Sequence, residues 1–153
     1  MKISKQGEYG LAAILYLASQ PEGKLSLRDE IARRCGIPKN FLAQILARLR
    51  RGGILGSRRG ARGGYFLRVE PQRLSLADVL EALEGKIRLL RSEEEPPAEP
   101  RAAEAAGAPQ GEGALTTLNG IRREAFRRLQ ERGYELLRSI KIGELLPAKG
   151  GHL

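Results

Sequence analysis

Three amphipathic helical stretches joined by glycine-bearing turns, a glycine-rich hairpin behind them, and a second apolar stripe near the C-terminus together predict the fold. It is mainly α: a winged helix-turn-helix domain, helices plus a two-stranded β wing, followed by a flexible loop and a long C-terminal dimerisation helix. At 153 residues there is room for one such domain and an accessory element, but not for a second full domain. Aromatic residues make up 5% of the chain and Trp is absent, so the core must be built from Leu, Ile, Val and Ala.

Ser4 can cap a first helix whose Leu11, Ile14, Leu15 and Ala18 recur at the spacing of one buried face, and residues 20–23 end it. Ser26 with Asp29 has the pattern of a capping box and opens a short second helix burying Leu27, Ile31 and Cys35. Gly36, Ile37 and Pro38 form a tight turn. The third helix, from about Lys39 to Arg51, carries Leu42, Ile45, Leu46 and Leu49 on its core side, and Gly52 and Gly53 close it. Residues 54–58 and 65–69 alternate as strands around a basic turn over 59–64. Ser75 and Asp78 repeat the capping box ahead of Leu76, Val79, Leu80 and Leu83, which form a fourth helix ending at Gly85.

Residues 92–114 are rich in Glu, Pro, Ala and Gly without apolar period and read as a flexible acidic loop. From Leu115 a helical stripe resumes through Leu118, Ile121, Ala125, Leu129, Leu136, Leu137 and Ile140. A domain this small cannot cover a helix of about 24 residues, roughly 36 Å long. The stripe therefore predicts a partner helix, most simply its own copy about a two-fold axis. The alternative is a helix folded back on the winged domain. The organisation is thus 1–91 winged domain, 92–114 loop, 115–146 dimerisation helix with a short terminal element that would lock against the partner, and 147–153 disordered tail.

Net charge is +9, unevenly spread: residues 1–91 carry 18 Lys and Arg against 8 Asp and Glu, 92–114 carry 1 against 6, and 115–153 carry 8 against 4. Between Glu30 and Glu70 every charged side chain is basic. A charge run alone is often only a solvated face. Here it falls on the elements of a helix-turn-helix, whose second helix is offered to the major groove. With its leucines facing the core, the third helix leaves Lys39, Asn40, Ala43, Gln44 and Arg48 on other faces. Asn40 and Gln44 lie one turn apart, and Asn and Gln can pair bidentately with adenine. Arg58, Arg59 and Arg62 at the hairpin can reach phosphates or enter a minor groove. Double-stranded DNA is the expected partner.

These stretches resemble a known family, the bacterial winged-helix regulators of the IscR, NsrR and CymR type. The likeness rests on residues 1–4 with Tyr9, on Ile37, Pro38 and 41–46 with Leu49, and on Gly53, 57–60 and 63–65. It continues through 78–84 and ends at 140–145, so it covers nearly all of the chain outside 92–114. It implies a dimer with an exchanged long helix that binds an imperfect inverted repeat in a promoter. It also places Asn40, Ala43 and Gln44 at base-reading positions and Arg59 in a minor groove. Cluster-binding members hold three cysteines between the fourth helix and the long helix; this chain has none there, so no iron–sulfur cluster and no metal site is expected. The single cysteine, Cys35, reads as a small buried residue and excludes an intramolecular disulfide; the single histidine, His152, sits in a glycine tail.

The sequence thus predicts a cytoplasmic, sequence-specific regulator of transcription, a repressor acting as a homodimer. Two alternatives stay open: a non-specific nucleic-acid binder, and a regulator controlled by a protein or small-molecule effector through the acidic loop and long helix. No nucleophile–base pair, carboxylate pair or phosphate loop points to an enzyme, and no segment has the length and composition of a membrane span.

Overall fold

The computed structural model describes residues 3–87 and 112–147, with side chains from 120 onward in the second stretch. Most of the predicted acidic loop, the side chain of Leu118 and the tail with His152 lie outside the described residues. The chain divides into two units, residues 2–87 with 134–153, and residues 88–133, each taken by itself below.

In the first unit α1 (Lys5–Ser19), α2 (Arg28–Cys35), α3 (Lys39–Arg51) and α4 (Leu76–Glu84) surround a core, and β1 (Leu55–Arg58) and β2 (Gly64–Leu67) form an antiparallel wing. Ile14, Ile31, Leu42, Ile45, Leu46, Leu49, Leu55, Val79 and Leu83 are fully buried, the aliphatic core that the composition demands. The buried face of α1 is rotated from the predicted one: Gly7, Gly10, Ala13, Ile14 and Leu17 are buried, while Leu11, Leu15 and Ala18 are only partly covered. The small residues allow α4 to approach closely. A β-carbon on Gly10 would stand 2.1 Å from Leu83 Cδ1.

Two helix starts behave as predicted and one does not. The Ser4 hydroxyl accepts from the Gly7 N–H at 3.1 Å and donates to Glu84 Oε1 at 2.7 Å, tying the start of α1 to the end of α4. Ser75 and Asp78 close a full capping box at α4. At α2, however, the residue at the cap is Leu27, without a side-chain bond and 53% exposed, so neither the Ser26 cap nor the burial of Leu27 holds. Ser26 is instead fully buried and pairs through its backbone with Tyr65, at 3.0 and 2.8 Å, extending the wing by one rung. Gly64 makes that rung possible: at φ 147°, its hydrogen faces the Ser26 carbonyl, where a β-carbon would lie 2.7 Å away.

At the C-terminal end of the unit, Ile140 accepts from the Leu76 N–H at 2.9 Å, Ile142 donates to Leu74 at 2.8 Å and Gly143 to Pro71 at 2.9 Å. The following 3₁₀ turn, Ile142–Leu145, sinks Ile142 completely into the core. The terminal element thus packs on its own winged unit.

The long helix, α5 (Glu112–Ser139), starts three residues before the predicted Leu115. In the second unit it displays Ile121, Phe126 and Leu129 to solvent, 61%, 46% and 59% exposed. Glu124 bonds to both Arg127 and Arg128 at 2.7 Å, and Arg127 to Glu131 at 2.5 Å. The two guanidiniums hold the Glu124 carboxyl down to about 2.

Candidate nucleic-acid interface

The sequence Gly36-Ile37-Pro38 turns the chain sharply because Gly36 adopts the left-handed conformation, φ 64°, and its N–H still bonds back to Ala32. Pro38 has no N–H to lose at the entrance to α3. The four buried residues Leu42, Ile45, Leu46 and Leu49 then fix the roll of α3 about its axis. That roll leaves Asn40 and Gln44 exposed, with Ala43 half-buried beside them. Among the described residues neither amide side chain has a hydrogen-bond partner.

The predicted cations divide. Arg59 and Arg62 are exposed in the turn between the strands, where Gly63 N–H bonds to the Gly60 carbonyl at 2.9 Å and Gly60 takes φ 104°. Arg58 lies over the Phe66 ring at 5.9 Å, a cation–π contact near the turn end of the wing. Lys39 pairs with Asp29 of α2 at 3.2 Å, with both side chains 66% exposed, a surface pair that salt screens and DNA could exchange. Arg48 is exposed, and its guanidinium donates to the Leu83 carbonyl of α4 at 2.5 Å. Arg50, not singled out from the sequence, donates to Ser57 Oγ at 3.1 Å and links α3 to the wing.

Arg51, one of the cations between Glu30 and Glu70, is not among the residues the sequence assigns to DNA. At 3.6 residues per turn it lies about 20° around the helix from Gln44, two turns further on. It is exposed, and among the described residues it has no hydrogen-bond or ion-pair partner. The helical period would have found it, since positions 40, 44, 47 and 51 form one stripe opposite the leucines.

The predicted dimerisation residues divide as well. Ile121, Ala125, Leu129 and Leu136 are exposed, Leu136 at 62%, while Leu137 is 7% exposed inside its own winged unit and Ile140 is partly covered there. Neighbouring residues on a helix point about 100° apart, so Leu136 and Leu137 face different directions. Phe126, absent from the predicted stripe, belongs among the exposed apolar residues.

A helix-turn-helix with amide side chains free on its second helix, flanked by an arginine-tipped hairpin, defines a winged-helix DNA-binding protein. Residues 3–148 match the family model Rrf2, described as iron-dependent transcriptional regulator, and the chain belongs to that family of transcriptional regulators. It is 41% identical over 88 residues to the HTH-type transcriptional regulator CymR of Bacillus subtilis, covering 57% of this chain and 63% of that one. It is 29% identical over 147 residues to IscR of Klebsiella pneumoniae, covering 95% and 80%. The solved structure of CymR, called there the global cysteine regulator of B. subtilis, superposes with a TM-score of 0.68 at 27% identity, covering 95% of each chain. The chain spans 56 to 63% of the length of several curated relatives that it matches.

The family description implies iron, and the donors here do not fit an iron–sulfur cluster. Such clusters are held by several thiolates, and the 153 residues contain one cysteine. Cys35 is half-buried in α2, donates to the Ala12 carbonyl at 3.7 Å, and burial pushes its thiol up, away from the thiolate a metal requires. Among the described residues no three His, Cys, Asp or Glu side chains group as metal ligands. Nor is any described helix long and apolar enough to cross a membrane.

Proposed function

We propose that this regulator is a homodimeric repressor that binds an imperfect inverted repeat in a promoter, each copy placing α3 in a major groove and its wing in the adjoining minor groove. The observation that carries this reading is the free pair Asn40 and Gln44, one turn apart on the exposed side of α3. Amide side chains there suit adenine, and the absence of any acidic residue on α3 removes the acceptor that would select cytosine. Arg59 and Arg62 supply the wing contact. The exposed Ile121, Ala125, Leu129 and Leu136, with Phe126, supply the surface a second copy would cover. A two-fold dimer reads a two-fold site, which is why the target is an inverted repeat. No cluster takes part in this reading.

The test is selection of genomic fragments on anaerobically purified protein at two salt concentrations, followed by sequencing. Enrichment of one inverted repeat is the expected result, with specific binding tighter than non-specific by about 10³ or more. Featureless enrichment that disappears with salt would instead identify a non-specific binder, because phosphate contacts alone are that salt-sensitive.

A further inference from the structure

We infer that the two arginines near the end of the recognition helix have separate tasks: Arg48 is a positioning residue that sets the seat of α3 through α4, and Arg51 is the phosphate contact that the same helix offers to DNA. The inference rests on the reading of α3 as the base-reading helix.

Arg48 makes a bond to α4 beside a close approach of the two helices. Its Nη1 donates to the Leu83 carbonyl, one of the end carbonyls of α4 that have no partner further along their own helix. A cation at a helix C-terminus is also favoured by the helix dipole. One turn further along α3, Gly52 lies so near Ala82 that a β-carbon there would approach Ala82 Cβ to 2.9 Å. At Gly52 the last turns of α3 and α4 are therefore in close contact, beside an open cleft that Arg48, Arg51, Glu81 and Glu84 line. At the same end of α4, Glu84 accepts from the Ser4 N–H and hydroxyl, so α4 is itself anchored to α1. Arg48 is still exposed, but its guanidinium is bonded to α4, and what that bond governs is the angle at which Asn40 and Gln44 arrive at the bases. Base pairing by amides is bidentate and directional, so it depends on that angle far more than a phosphate contact does.

Arg51 is its complement. It shares the outward stripe with Asn40 and Gln44, but sits about 10 Å along the axis from Gln44, beyond the span of a base step and near the backbone that borders the groove. Among the described residues it has no partner to hold it back.

The experiment measures affinity across a salt series on two duplexes: the inverted repeat recovered by genomic selection, and a scrambled duplex of equal length and composition. Arg48→Met is expected to lower the ratio of operator to scrambled affinity about tenfold while leaving the salt slope on the scrambled duplex unchanged. Arg51→Ala is expected to weaken both duplexes alike and to reduce the slope by about 0.9 per bound copy. Gly52→Ala perturbs the same junction without changing charge and should mimic Arg48→Met, which decides the matter if Arg48→Met fails to fold by thermal melting. An Arg48→Met protein that loses affinity equally on both duplexes with a shallower slope would make Arg48 a phosphate contact and overturn the assignment. An unchanged ratio in Arg48→Met or in Gly52→Ala would overturn the positioning role, and an unchanged slope in Arg51→Ala would overturn the other half. Wild-type protein that does not distinguish the two duplexes would refute the functional reading itself, a different result from any of these.

Discussion

Gly10 and Leu83 offer a direct test of how the scaffold under the recognition helix is packed. A methyl group at position 10 would sit 2.1 Å from Leu83 Cδ1 and 3.0 Å from its Cδ2, and Leu83 is fully buried with nowhere to retreat. Gly10→Ala gains about 1 kcal/mol of helix propensity. It loses about 1 to 3 kcal/mol to overpacking, so a net destabilisation of about 1 kcal/mol is expected. Leu83→Ala opens a cavity at a cost of about 2 to 5 kcal/mol. In the double variant the new methyl enters space that Leu83 has vacated: the clash disappears, the propensity gain remains, and part of the cavity is filled. The double variant should then be more stable than Leu83→Ala alone, with a coupling of about 1 to 3 kcal/mol. Urea unfolding at one fixed protein concentration, with unchanged m-values, measures all four corners of the cycle. Effects that add within about 0.5 kcal/mol would refute the contact between α1 and α4 as drawn.

Arg59→Ala should leave thermal stability within about 0.5 kcal/mol, because the side chain is exposed and unpartnered among the described residues, yet lower operator affinity; unchanged affinity would remove the wing from the interface. Replacing Leu129 and Leu136 with Glu should give monomers by light scattering, whereas Leu137→Glu should unfold the winged unit, since Leu137 is only 7% exposed there. Acid should act through Glu30, whose carboxyl lies below its ordinary 4.5 because the Tyr16 hydroxyl, and then Lys24, bond to it. A lowered folded pKa contributes stability that is complete above 4.5 and fades as pH falls through the lower folded value, so Glu30→Gln should show a shallower loss of stability below pH 4.5 than the parent. Protein isolated without oxygen should be colourless; stoichiometric iron with visible absorbance would contradict the mismatch between one cysteine and a cluster.

Much of this molecule could be read from local pattern. The periodic leucines of α3 named its core side, the Ser75 and Asp78 pair marked the start of α4, and glycines bracketed the wing, because helical period, capping and turn chemistry are properties of a few consecutive residues. Membership in a regulator family followed from the same stretches. Asn40 and Gln44 were legible as the free face for the same reason, being what remains once the leucines are turned inward.

Long-range contacts decided the rest. Ser26 has a cap's signature, but pairing with Tyr65 claims its backbone, and no local rule foresees a strand 39 residues away. Leu136 and Leu137 are chemically alike, yet one faces solvent and the other the core, because the backbone bonds from Ile140, Ile142 and Gly143 fix how the end of α5 meets α4. Arg48 and Arg51 are the clearest case. Both are exposed arginines in the last turns of one helix, and only the position of the Leu83 carbonyl, a long-range neighbour, gives Arg48 a bond to α4 that Arg51 lacks among the described residues.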